Sequence, residues 1–262
     1  MATPREINRH MKSVGNIGKI TKAMKMVAAA RLRRAQEKAA ASRPYAIKIK
    51  EVLSNVVSDP SVLAGLDAKK HPLLQKREVQ KVGYLVLCSD KGLAGAYSSN
   101  ALKMAVAEIS ECEDEVVVIT CGRKARDFFT RRGFNVIQSH IGFSDRPTYE
   151  NAVDIAQDAI KTFANEGFDK LNIIYTVFKT ALSQVPTSEV ILPVEPPVKE
   201  EGKAQASFMF EPGEDDTLTV LAPKYLETVV YAALVQSAAS ELGSRMTAMS
   251  SATDNAAKLV SS

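Results

Sequence analysis

Long apolar runs are absent from this chain of 262 residues. A helix that crosses a bilayer needs about 20 mostly apolar residues in a row, so no membrane span is expected. The first ten residues, MATPREINRH, hold no apolar core and include an acid. They read as neither a secretory signal nor a transit peptide. Cysteine is scarce: Cys88, Cys112 and Cys121 form an odd set without metal spacing. That points to reduced thiols in a cytosol-like compartment. His10, His71 and His140 stand too far apart in sequence to suggest a ligand set. No motif context for Ser/His/Asp or Cys/His catalysis occurs, and no metal or cofactor is expected.

What is present favours a folded protein. Hydrophobic residues make up 45% and charged residues 24% of the chain, enough for a sizeable core in one or two domains. The net charge of +4 hides an asymmetry. Residues 1–50 carry thirteen Lys/Arg against Glu6 and Glu37, a net of +11, and the remainder nets −7. A basic arm on an acidic body implies an acidic partner for the arm.

Residues 5–57 read as one long helix, with Pro4 in its first turn and Thr3 as its cap. Apolar and small residues recur at heptad spacing from Ile7, Met11 and Val14 through Ala28, Leu32 and Ala35 to Ile49, Leu53 and Val56. In the middle this seam turns polar at Gly18, Thr21 and Lys25. A second stripe then runs through Ile17, Ile20, Met24 and Val27. The face is broader there than one partner helix needs, so a further surface is expected against it. Pro44 should bend the rod without breaking it. Residues 223–262 read as a second helix starting at Pro223, with a seam from Tyr225 to Val260 that includes Arg245's neighbours Leu242, Met246 and Met249. Its small residues, among them Ala238, Ser240, Gly243 and Ser244, match small positions Ala35, Ala39 and Ser42 of the first helix. The two ends therefore pair as an antiparallel coiled coil. A plain helical bundle is the alternative, but the middle of the chain offers no further helices of that length.

Between the helices, residues 58–80 read as a linker and 81–222 as an α/β domain with a foot. Strand signals at 81–89, 115–121, 135–140, 171–178 and 188–194 alternate with helix signals, which predicts a Rossmann-like, mostly parallel five-stranded sheet. Residues 195–217 read as an irregular hairpin or loop around Phe208, Met209 and Phe210. One loop looks chemical: Ser89, Asp90, Lys91 and Gly92, then Leu93, Ala94 and Gly95, between a strand and a helix. It fits neither the dinucleotide-binding nor the P-loop pattern. Two glycines there serve geometry more often than phosphate.

Five segments in order resemble the gamma-subunit family of F-type ATP synthases: Ile20–Ala29, Ser42–Ala46, Ser89–Leu93, Ser183–Thr187, and Arg245–Met249 continuing through Ala252–Asn255. The resemblance covers essentially the whole chain. It implies a rotor of the central stalk that transmits torque between an ion-driven c ring and catalytic beta subunits, with no chemistry of its own. It implies one copy per complex, partners alpha, beta, epsilon and the c ring, and an indirect, peripheral place on the cytoplasmic side of a bacterial cell membrane. Contact with the alpha/beta ring would fall to Ile17, Ile20, Met24, Lys25, Val27, Arg31, Arg34, Arg245 and Met249. Contact with the c ring and epsilon would fall to Phe208, Phe210 and Glu211. Ala94 stands where family members often carry Cys, so thiol chemistry there is not expected. The chloroplast cysteine insert is absent, which favours a bacterial relative. The family pattern continues beyond the position of Ser262, so its terminal segment is missing from this sequence.

Two other readings compete. An enzyme using Asp90, Lys91 and the Gly92/Gly95 turn on a phosphorylated substrate leaves the long helices unexplained. A nucleic-acid-binding coiled coil over residues 19–38 lacks aromatic residues for stacking, so no nucleic acid is expected.

Overall fold

The structure is a computed structural model that describes residues 3–57, 70–194 and 214–261. Helix α1 runs Pro4–Val57. At 1.5 Å per residue it is about 80 Å long. Its start is a reciprocal cap: the Glu6 amide donates to Thr3 Oγ1 and the Thr3 amide donates to Glu6 Oε2. The helix continues through Pro44. A single 3-10 turn at Pro72–Leu74 follows, and Leu73 enters the core, so the second half of the expected linker is packed.

The middle of the chain alternates as expected. Strands β1 (Lys81–Leu87), β2 (Glu115–Cys121), β3 (Val136–His140), β4 (Lys170–Thr180) and β5 (Ser183–Leu192) form one sheet in the order β3-β2-β1-β4-β5. The first four pair in parallel, and β5 pairs antiparallel to β4 through a tight hairpin. Strand β5 starts five residues before the predicted 188–194 strand and takes in Pro186. An edge strand tolerates a residue without an N–H.

Helices α2 (Tyr97–Glu111) and α3 (Arg123–Arg131) cover one face of the sheet. There Val82, Tyr84, Val86 and Val118 pack on Ala101, Ala105 and Phe129. Helix α4 (Tyr149–Ala164) and the last helix cover the other, where Leu85, Leu87, Ile119 and Ile173 meet Ile155, Phe163, Leu226 and Val230. Alternate residues of β1 serve opposite cores, as a period of two requires.

The last helix, α5, runs Glu214–Ser261. It begins nine residues before the predicted start, so residues 214–222 belong to it rather than to the α/β domain, and Pro223 lies inside it. It pairs antiparallel with α1. Gly18 faces Ala256, Thr21 and Thr253 share a 2.8 Å hydroxyl contact, Lys25 Nζ donates to Ser250 Oγ at 2.9 Å, and Leu32 and Ala35 pack on Ala239 and Leu242. Ile7 and Met11, at the start of the predicted seam, are exposed.

Contrary to the reading of apolar runs, α5 contains an 18-residue window of mean hydropathy 1.4, apolar and long enough by composition to cross a bilayer. The packing accounts for it. From Leu226 to Arg245 nearly every residue is buried or half-buried, because α1 covers one side and the sheet the other. A helix covered on opposite sides is apolar nearly all round. The small residues divide between those neighbours. Ala239 meets α1, whereas Ser240 Oγ donates to Thr176 O at 2.9 Å, and a Cβ on Gly243 would lie 2.9 Å from Phe178. Ser240 and Gly243 therefore fit the sheet and not the small positions of α1.

Candidate functional site

The loop after β1 decides between phosphate chemistry and architecture. Asp90 sits where strand ends converge. Its Oδ1 accepts from the Arg123 amide at 3.1 Å, and its Oδ2 accepts from the Gly142 amide at 2.9 Å and the Ser144 amide at 3.0 Å. Burial acts to raise the Asp90 carboxyl, but these donors outweigh it, and its pKa lies below the ordinary carboxylate value. In a phosphate-binding loop such amides, including those at the start of a helix such as α3, would face the ligand. Here a side chain of the protein takes them. Ser89 is buried and shares a 2.7 Å hydroxyl contact with Ser98.

The crevice at the sheet's switch point is also filled. Strand order reverses between β1 and β4, and ligands of open α/β sheets bind beyond the strand ends at that place. Strand β4 continues to Thr180, past its last pairing with β1 at Ile174. Helix α5 lies against this extension: Ser240 Oγ donates to Thr176 O, and Thr247 Oγ1 donates to Ala181 O at 3.0 Å. On its other side Ser244 Oγ donates to Ala94 O at 2.7 Å. Gly95 has φ +54, and a Cβ there would lie 2.9 Å from Ser244 Oγ. Leu93 also has positive φ, at 62°, and is 64% exposed. A left-handed non-glycine residue costs about 1–2 kcal/mol.

Charges tie this loop to both long helices. Arg31 of α1 pairs with Asp145, and Lys91 Nζ lies 3.6 Å from the same carboxylate. Arg245 Nη2 donates to Glu241 Oε1 at 2.6 Å and to Gly92 O at 3.3 Å. Glu241 is fully buried, with Arg245 and the Ser144 side chain as its hydrogen-bonding neighbours. Burial raises its carboxyl above the ordinary value, with Arg245 opposing. Asp145 and Glu241 were not singled out from sequence. The i, i+4 spacing of Glu241 and Arg245 was the available signal; the contacts of Asp145 leave no local trace.

The predicted partner residues fall into three groups. Ile17, Ile20 and Val27 are exposed by half or more, Met24 is half-buried, and Lys25 and Arg34 are exposed. Ile20, Met24 and Val27, with Arg31, Lys91 and Arg245, line one open pocket of about 360 Å3. Met249, by contrast, is buried, and Arg245 is largely buried while still forming part of that pocket's wall. Phe208, Phe210 and Glu211 lie outside the described residues. Among the described residues no three His, Cys, Asp or Glu side chains come together as a metal site needs. Cys88 and Cys121 are buried, and burial pushes the Cys88 thiol up to about 12.

A family model described as ATP synthase matches residues 3–262. The chain is 45% identical to the ATP synthase gamma chain of Brevibacillus brevis, across 98% of this chain and 88% of that one. It is 42% identical to the ATP synthase gamma chain of Desulfitobacterium hafniense, across 99% and 89%. This chain belongs to the ATP synthase gamma-chain family. Solved structures share the family fold. One is the central stalk and c ring of Tetrahymena thermophila mitochondrial ATP synthase, at TM-score 0.65 and 24% identity over 89% of this chain and 99% of that one. Another is the rotor of Euglena gracilis mitochondrial ATP synthase, at TM-score 0.62 and 16% identity over 98% and 93%. In this gamma-family chain the Asp90 carboxylate of the loop motif Ser89–Gly92 takes amides of neighbouring turns, and the motif's own Ser89 and Asp90 amides donate to the Ser98 and Ser144 hydroxyls.

Proposed function

We propose that this chain is the central-stalk rotor subunit of an F-type ATP synthase and performs no catalysis itself. It carries torque between an ion-driven c ring and the beta subunits that make or hydrolyse ATP. One observation carries the reading: two helices of 54 and 48 residues pair as an antiparallel shaft, and an apolar stripe on the shaft has no cover among the described residues. One charge crossing 100 mV releases about 2.3 kcal/mol, so energy from several ions must be summed through a stiff element. Two packed helices resist twisting better than one.

The stripe Ile17, Ile20 and Val27 would bear on the alpha/beta ring, with Met24 at its edge. Lys25 and Arg34 would meet acidic surfaces of that ring. Phe208, Phe210 and Glu211 would contact the c ring and epsilon. Each complex would hold one copy, on the cytoplasmic side of a bacterial cell membrane, driven by protons or sodium ions. Charge reversal at Lys25 should lower coupling and leave the fold intact, because the side chain is exposed. The test has two parts. The chain should co-purify with the larger ATPase subunits at one copy per complex. Membrane vesicles carrying Lys25→Glu should then synthesise less ATP per ion gradient; undiminished synthesis rejects that residue's role, and failure to co-purify rejects the rotor reading.

A further inference from the structure

The sheet face that carries α5 leaves a gap beside it. Strand β4 presents Ile173 and Tyr175 there, two residues apart and so on one face, and β5 presents Glu189. Helix α5 brings Tyr225 and Val229, about one turn apart, and α1 supplies Lys50 from the opposite wall. These side chains border a cleft of about 280 Å3. Protein interiors are close-packed, and voids larger than a water molecule are few.

The charge at this cleft is unbalanced. Glu189 Oε1 accepts the Tyr175 hydroxyl at 2.9 Å, and among the described residues no ion pair joins the carboxylate to a cation. The carboxylate acts on both phenols. Burial raises the Tyr225 pKa and the Glu189 charge raises it further; Tyr175 is raised by burial and then by its bond to Glu189. Lys50 is exposed, so its stem can line the cleft while its ammonium stays in water. A carboxylate beside two tyrosines, with an aliphatic wall at Ile173 and Val229, offers what an organic cation needs: a counter-charge, aromatic surface and apolar surface. An anion entering the cleft would meet the Glu189 charge.

We infer that this cleft is a binding site for a small amphipathic organic cation, its ammonium on Glu189 beside Tyr175 and Tyr225 and its apolar body on Ile173 and Val229. A bound cation would also bridge α1 and the sheet, which form opposite walls of the cleft. Lys50 lies about 35 Å along α1 from Val27, so the site is separate from the apolar stripe that carries the rotor reading. Neither inference depends on the other.

The experiment titrates the full chain, isotope-labelled, with n-hexylammonium, n-hexanol and hexanoate, which share one alkyl chain and differ in head group. Amide NMR shifts locate each ligand and give its dissociation constant. Hexylammonium should saturate shifts at Tyr175, Glu189 and Val229. It should bind about tenfold more tightly than hexanol, because a charge-assisted contact adds to the shared apolar one. Hexanoate should bind weakest. Glu189→Gln, a change at an exposed side chain, should bring hexylammonium down to the hexanol value. Ala232→Phe, which fills the cleft from an exposed position on α5, should abolish binding of all three. The site is rejected by any of four results: no saturable shifts at the cleft, hexanol or hexanoate equal to hexylammonium in the wild type, an undiminished ammonium preference in Glu189→Gln, or binding that survives Ala232→Phe. Should Ala232→Phe fail to fold, the wild-type and Glu189→Gln titrations decide alone. The titrations need no assembled complex, so their failure leaves the rotor reading standing.

Discussion

Asp90 shows how one side chain can replace a ligand. Three amides, one from the start of α3 and two from the loop after β3, converge on its carboxylate, and the sheet's ends are sewn together there. Asp90→Asn should destabilise the fold by about 1–3 kcal/mol, read as a lowered urea midpoint, because a neutral amide cannot serve all three donors. The pH dependence has a definite sign. The folded Asp90 pKa is depressed, so its contribution is complete above the unfolded value near 4 and is lost as pH falls through the folded value. His140 acts at a higher pH. Burial lowers its pKa despite nearby Asp158 and Asp154. Protonation then costs more in the folded than in the unfolded chain. Stability is full above the ordinary imidazole value near 6.5 and declines as pH drops below it. His140→Leu should flatten that portion of the stability–pH curve and leave the Asp90 portion in place. Gly243 is a packing case. A side chain at this position would meet Phe178 at 2.9 Å and Ala181 Cα at 3.6 Å. Gly243→Val should cost about 1–3 kcal/mol by overpacking, despite the gain in helix propensity.

At the level of elements, α1 and α5 are organised differently. Helix α1 has one buried seam and a wide wet surface, so its heptads were legible from Val14 onward. Helix α5 is clasped from opposite sides, and its apolar content follows from that double burial. Both contain an internal proline, Pro44 and Pro223, and both continue through it. A proline in a helix interior removes one hydrogen bond and costs up to about 3 kcal/mol. Pro44 is exposed, and its replacement by Ala should raise the melting temperature without altering the contacts of the seam. An unchanged or lower melting temperature would mean that the bend itself improves the fit between the helices. The strand–helix alternation was readable because β1, β2 and β3 are short apolar runs bounded by turn residues, whereas β5, ten residues long with Pro186 inside, was placed five residues late. The start of α5 was misplaced because Pro223 resembles a helix beginning; the acids Glu214, Asp215 and Asp216, which suit a first helical turn, were the overlooked signal.

The whole molecule is a lever attached to a plate. The two helices of the shaft pair with each other, and the α/β domain packs on α5 from Leu218 through Thr247. This arrangement fills the place where an open α/β sheet would bind a nucleotide. The isolated chain should therefore show no rise in melting temperature with magnesium ATP, since only a ligand bound to the folded state shifts that equilibrium. A clear dose-dependent rise would favour the enzyme reading over the rotor.

The sequence by itself determined the long terminal helices, the alternating domain between them, the basic arm and the family, because periodicity and local motifs are written in neighbouring residues. Tertiary structure alone decided what each face meets. Arg245 and Met249 lie on a helix whose pattern announces a seam; Met249 is buried in it, whereas Arg245, largely buried too, also lines the open pocket beside Ile20 and Met24. Ser240 and Gly243 resemble the small residues of a helix pair but fit a strand and a hairpin. Such choices depend on contacts between residues far apart in the chain, and these exist only once the sheet, the loop and both helices are assembled.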